Sequence, residues 1–141
     1  MLCAKAAFRW RGPTCTLNRA GLFHDFASAR LVVMHMRLAQ ERGDLDSLAW
    51  VVMPDHVHWL FQLKGQVRLS SVIKSFKGRS AWDVARQLGL AGGVWQRGFH
   101  DHCIRNDEDL RAVARYIVAN PIRAGLVSRL GEYPHWDAMW L

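Results

Sequence analysis

The period of apolar positions changes several times along the chain, and each change predicts an element. Phe26, Leu31, Met34 and Leu38 recur at roughly helical spacing; Asp25 suits the start of that helix and Gly43 its end. Two apolar runs follow, 48–53 and 57–63, which predict strands separated by a turn at Pro54 and Asp55. Residues 68–90 return to a helical period through Ile73, Phe76, Ala81, Val84 and Leu88, with Gly78 an interior blemish of ~1 kcal/mol against alanine. "GGVWQRGFHDHCIR" predicts a loop and then a strand. "NDEDLRAVARYIVAN" is the clearest helix: Asn106 as cap, Asp107, Glu108 and Asp109 at the positive end, and Leu110, Val113, Ala114 and Ile117 as the buried stripe. Pro121 closes it and a tail follows. A first strand is placed around Thr14 and Thr16, in a stretch carrying Arg9, Arg11 and Arg19. The order strand, helix, strand, strand, helix, strand, helix predicts an α+β fold. It is the order of a ferredoxin-like sandwich, an antiparallel sheet with helices on one face, plus an added C-terminal helix.

Composition narrows the setting. With 141 residues, half of them apolar, the chain is expected to be one domain, 1–141, with a real core. No apolar run reaches the roughly 18 residues that cross a bilayer, and the first residues lack a secretory pattern, so a cytoplasmic protein with no membrane partner is expected. Cys3, Cys15 and Cys103 are odd in number and lack a CxxC pairing, which argues for reduced thiols and against a disulfide framework or zinc ribbon. The net charge of +7 changes the picture most. A small basic domain points towards nucleic acid, where each neutralised phosphate releases counterions.

The candidate chemistry begins in "VVMPDHVHWLFQL". On a strand, Val57, Trp59, Phe61 and Leu63 share one face, and His56, His58, Leu60 and Gln62 share the other. The two imidazoles lie ~7 Å apart along the strand, close enough to converge on one ion. On the last helix Tyr116 and Asn120 are four apart, on one flank, ~6 Å along the axis. A His, His, Asn set mixes imidazole nitrogen with amide oxygen and suits Mg²⁺ or Mn²⁺ better than a structural zinc. A tyrosine beside such a cation is a candidate nucleophile on phosphate. Rivals stand beside this set: His100 and His102 form a second His-x-His pair, and Asp101 competes with Asn120 as third ligand. Asn120 and Tyr116 also read simply as a helix-ending residue and a packing residue. His24, His35 and His135 suggest no partners.

"VVMPDHVHWLFQL", "VWQRGFHDHCIR" and "RYIVANPIRAGLV", in that order and spacing, resemble the REP-associated tyrosine transposases, a branch of the single-tyrosine HUH transposases related to small insertion-sequence enzymes. The resemblance runs from about residue 22 to 127. It implies a ferredoxin-like fold with His56 and His58 as ligands of a divalent metal, Mg²⁺ or Mn²⁺. It implies Tyr116 as nucleophile and Asn120 as third ligand. It also implies cleavage of single-stranded DNA beside short hairpins, through a 5′-phosphotyrosine that leaves a free 3′-OH. Lys74, Lys77, Arg79, Arg97, Arg105, Arg115 and Arg123 come from segments that the family places around the active site and hairpin groove. Trp82 and Trp95 are candidates for stacking on unpaired bases. Residues 1–21 depart from the aromatic-rich first strand of the family, and 128–141 form a short tail. A monomer is expected, with a homodimer as alternative. Two other functions fit the same residues: a catalytically silent DNA- or RNA-binding domain, and a metal-dependent phosphodiesterase that uses water.

Overall fold

In the computed structural model the chain runs as strand β1 (Arg9–Cys15), helix α1 (Phe26–Glu41), strands β2 (Leu45–Met53) and β3 (His56–Leu63), helix α2 (Leu69–Leu88), strand β4 (Cys103–Ile104), helix α3 (Leu110–Val118), short helix α4 (Asn120–Arg123) and strand β5 (Trp136–Ala138). The structure describes residues 9–98, 103–104 and 109–140, with the backbone alone at 103–104. The expectations at His100, Asp101, His102, Arg105, Asn106, Asp107 and Glu108 lie outside these residues. The strands form an antiparallel sheet in the order β4-β1-β3-β2-β5.

Alternation along β3 divides the molecule into two cores. Val57, Trp59 and Phe61 point to one face, where α1 and α2 cover them through Ala29, Val32, Val33, Met36, Ile73 and Phe76. Leu60 points to the other, where α3 seats Ala114, Ile117 and Val118 against Leu48, Ala49, Val51 and Met53. Helices α1 and α2 therefore share one face of the sheet, and the added C-terminal helix α3, whose face the sequence left open, lies on the other. The added helix supplies the second layer. A bulge between Ser47 and Ala49 turns the adjacent Leu48 and Ala49 towards this second core together.

Local chemistry accounts for the element ends. Asp25 caps α1 by accepting from Ser28 N at 3.0 Å and Ser28 Oγ at 2.8 Å. Helix α3 begins at Leu110, later than predicted, with Asp109 as cap to Arg111 N and Ala112 N. Pro121 does more than end α3. It sits in the first turn of α4, where its missing N–H is no loss. Pro13 lies in β1 between the pairing of Arg9 and Trp10 with β4 and the bond from Gln96 N to Cys15 O, away from both contacts. Gly12 is required there: a Cβ would come within 2.9 Å of Trp10 Cζ2, on an indole that is fully buried.

The expected tail is part of the sheet. Tyr133 Oη donates to Val52 O at 2.6 Å, Val52 N donates to His135 O at 2.9 Å, and β5 then pairs with β2. The unassigned histidines separate: His35 is buried with Nε2 2.6 Å from Asp83 Oδ2, joining α1 to α2; His135 is buried between Phe26 and Tyr133; His24 is exposed.

Candidate metal and nucleophile site

His56 and His58 stand on the α3 face of β3, next to the second core and half-buried. His56 lies opposite Cys15 and Met53, and His58 opposite Pro13 and Val51. Each ring has a polar neighbour. His56 Nδ1 is 2.8 Å from Asp55 Oδ1. His58 Nδ1 is 3.4 Å from Nδ2 of Asn120, the first residue of α4. Burial pushes His58 down to about 4, with the charges of His56, Arg11 and Arg123 adding to it. At neutral pH the ring is therefore uncharged and keeps a lone pair. Asp55 is pushed up by burial, but hydrogen bonds from His56 and Arg19 outweigh this and hold it below the ordinary carboxylate value.

Tyr116 lies on the exposed flank of α3, one turn before Asn120, and is 55% exposed. Arg123 ties the two together. Its guanidinium lies 3.8 Å from the Tyr116 ring centroid, Nη1 donates to Tyr116 O at 2.6 Å, and Nη2 donates to Asn120 Oδ1 at 2.8 Å. The structure thus brings Asn120 to His58, and Arg123 to both Tyr116 and Asn120.

The donor chemistry suits a hard divalent cation. Among the described residues no group of three His, Cys, Asp or Glu side chains is placed to hold an ion, and the amide of Asn120 is the oxygen-bearing group that reaches His58. Adjacent ligands on an octahedral ion with bonds of ~2.1 Å lie about 3 Å apart, near the Asn120–His58 separation. For Oδ1 to be the donor, the Asn120 amide must turn over and release Arg123.

The remaining basic residues divide between the two faces. Lys74, Lys77 and Arg79 are on α2, across the sheet from the histidines, with Arg97 in the loop beside it. Lys74, Lys77, Arg97 and Trp95 line one groove of about 570 Å³. Lys77 Nζ donates to Gln96 O and Gly98 O, and burial pushes its pKa down. Arg79 Nε donates to Ser75 Oγ at 3.1 Å. Arg115 is exposed on α3. Trp95 packs against Phe23 and Phe76 and donates to Ser80 Oγ, while Trp82 is 67% exposed. Two residues beside the histidines were not singled out from the sequence as site residues: Arg11, opposite Leu60 and so on the histidine face, and Arg19, bound to Asp55. Their basic stretch was visible in the sequence, but nothing local links it to a strand more than thirty residues on.

Fold and site together describe a tyrosine-bearing helix laid over a His-x-His strand, and comparison with known proteins gives the family. The chain belongs to the IS200-like transposases, whose family model matches residues 14–120. Within that family its relatives are REP-associated tyrosine transposases. It is 34% identical over 87 residues to the one from Escherichia coli K12, and 30% identical over 105 residues to a Haemophilus influenzae protein assigned to the same group. Those matches take in 61% and 67% of this chain but 50% and 60% of the relatives, so the chain spans little more than half their length. A solved structure of a REP-associated tyrosine transposase bound to a REP hairpin superposes with a TM-score of 0.75 at 25% identity, over 94% of this chain and 77% of that one.

Proposed function

We propose that the protein is a DNA strand transferase that nicks and rejoins single-stranded DNA at hairpin-forming repeats. Tyr116 is the nucleophile; His56, His58 and Asn120 hold a divalent cation, Mg²⁺ or Mn²⁺. The observation that carries the reading is the 3.4 Å approach of Asn120, two residues beyond the end of the tyrosine's helix, to His58 on the histidine strand. The hairpin in the related solved structure supports hairpin DNA as partner. The succession βαββαβ with β4-β1-β3-β2 at its centre supports a ferredoxin-like sandwich, and β5 pairing with β2 supports reading 1–141 as one transposase-like domain. Among the described residues no helix is long and apolar enough to cross a membrane, and the reading places the protein in the cytoplasm as a monomer.

In this mechanism Tyr116 Oη attacks a backbone phosphorus as its proton leaves. The P–O3′ bond breaks, giving a 5′-phosphotyrosine and a free 3′-OH. In rejoining, a 3′-OH attacks the same phosphorus, the P–Oη bond breaks and the phenol regains a proton. One phosphodiester is exchanged for another, so no external energy source is needed. The cation supplies charge stabilisation at the phosphoryl oxygen. Residues of the chain do the rest: uncharged His58 offers its lone pair, and Arg123, stacked on the Tyr116 ring, holds the phenol's helix against Asn120 and adds positive charge beside it.

Incubation with a labelled single-stranded hairpin and Mn²⁺ is expected to give a covalent adduct that survives denaturation. Tyr116→Phe is expected to reduce it by at least about a hundredfold. An undiminished adduct in that variant removes Tyr116 as nucleophile. Hydrolysis that survives it but is lost in His56→Ala selects a water nucleophile, and tight binding without cleavage under any divalent ion selects a silent binding domain.

A further inference from the structure

We propose that Asp55 is the positioning residue of His56 and that Arg19, from the loop after β1, anchors it. This rests on the reading of His56 as a cation ligand. Both carboxylate oxygens of Asp55 are engaged: Oδ1 with His56 Nδ1 at 2.8 Å, and Oδ2 with Arg19 Nε at 3.0 Å and Nη2 at 2.9 Å. An ionised carboxylate is an acceptor only, so the imidazole proton sits on Nδ1 and the lone pair on Nε2, the nitrogen left for a cation. Without that acceptor the two tautomers of a neutral imidazole compete, and the one protonated on Nε2 cannot ligate through it.

The anchor is built into the backbone. Asn18 and Arg19 have φ of 56° and 54°, a left-handed conformation rare for residues other than glycine. It persists because the loop is fastened on both sides. Thr16, fully buried, donates to Asp55 O from N at 2.9 Å and from Oγ1 at 3.0 Å; the same hydroxyl lies 2.7 Å from Ala20 O. Phe23 N donates to Pro54 O at 2.9 Å. The turn before the first histidine and the loop 16–23 are thereby one clamped unit, and Arg19 extends from it onto Asp55. That gives the loop after β1, which lies within the stretch matched by the family model, a role in setting the His56 ring.

The test is run on the full-length protein, free of DNA. Long-range ¹H–¹⁵N NMR of the histidine rings without metal is expected to show His56 protonated on Nδ1 in the wild type. In Asp55→Ala its signals move towards the Nε2-protonated form, while those of His58 stay in place. Mn²⁺ titration followed by electron paramagnetic resonance is expected to show affinity falling roughly 10- to 100-fold in Asp55→Ala, and several-fold in Arg19→Gln. Asp55→Asn, which keeps shape and an acceptor, serves if the alanine variant folds poorly, and is expected to fall between wild type and Asp55→Ala. An unchanged His56 tautomer in both Asp55 variants overturns the proposal, and so does unchanged Mn²⁺ affinity in them. Absence of Mn²⁺ binding in the wild type, with the tautomer shift intact, instead sinks the cation reading and leaves the Asp55–His56 contact as found.

Discussion

Arg123 stacks on Tyr116, holds Asn120 Oδ1 and adds a positive charge near His58. A cation bound through Asn120 has to displace that hydrogen bond and coexist with that charge. Arg123→Ala is therefore expected to tighten Mn²⁺ binding by about three- to tenfold, the equivalent of ~1 kcal/mol of relieved competition, while weakening hairpin binding. Calorimetry for the metal and a filter assay for the DNA check the two opposite signs. His58 makes a second residue-level prediction. Its folded pKa is about 4 against an unfolded 6.5, so between these values the unfolded chain takes up a proton that the folded chain refuses. Its contribution to stability is complete above pH 6.5 and is lost as pH falls towards 4, at most ~3 kcal/mol. His135, also lowered through burial and Arg30, acts in the same direction. Urea melts at pH 7 and pH 4.5 are expected to show the loss, and a flatter dependence in His58→Gln.

At the scale of elements, α1 shows how packing selects among apolar residues. Its sequence pattern points to Phe26, Leu31, Met34 and Leu38, yet the buried face carries Ala29, Val32, Val33, Met36 and Ala39, and Phe26 is 61% exposed. Small residues let a helix approach its neighbours closely, and a ranking by size alone misses them. In α3 the predicted and observed stripes nearly coincide, because Ala114 and Ile117 lie among few alternatives. The C-terminal segment is the larger surprise, since a three-residue strand has too little period to be read. Its main fastening is Tyr133, whose pKa burial pushes up to about 12. A tyrosine raised in the folded state stabilises fully below pH 10 and loses that contribution as pH rises from 10 to 12. Alkaline denaturation monitored by circular dichroism is expected to be steeper in this window for wild type than for Tyr133→Phe, which at neutral pH is less stable by about 1 kcal/mol.

Across the whole molecule, the sheet separates two sets of basic residues. Arg11 and Arg123 lie on the histidine face, and Lys74 and Lys77 lie beyond the opposite layer. If DNA reaches Tyr116, the first set meets its phosphates. Arg11→Ala is expected to weaken hairpin binding and lower the slope of log affinity against log salt by about 1, whereas Lys74→Ala leaves the slope unchanged. Equal effects from both would move the DNA to a path around both faces. Period-2 alternation in β3 placed His56 and His58 on one face opposite Val57, Trp59 and Phe61, and a helical period placed Tyr116 on the flank of a C-terminal helix. These were legible because both periods are properties of the local backbone. The face that α3 covers, the approach of Asn120 to His58 and the clamp of Arg19 on Asp55 were decided only by tertiary structure. Each joins residues far apart in the chain, through which sheet face a helix buries and which donor meets which acceptor, and neither choice leaves a periodic trace in the sequence.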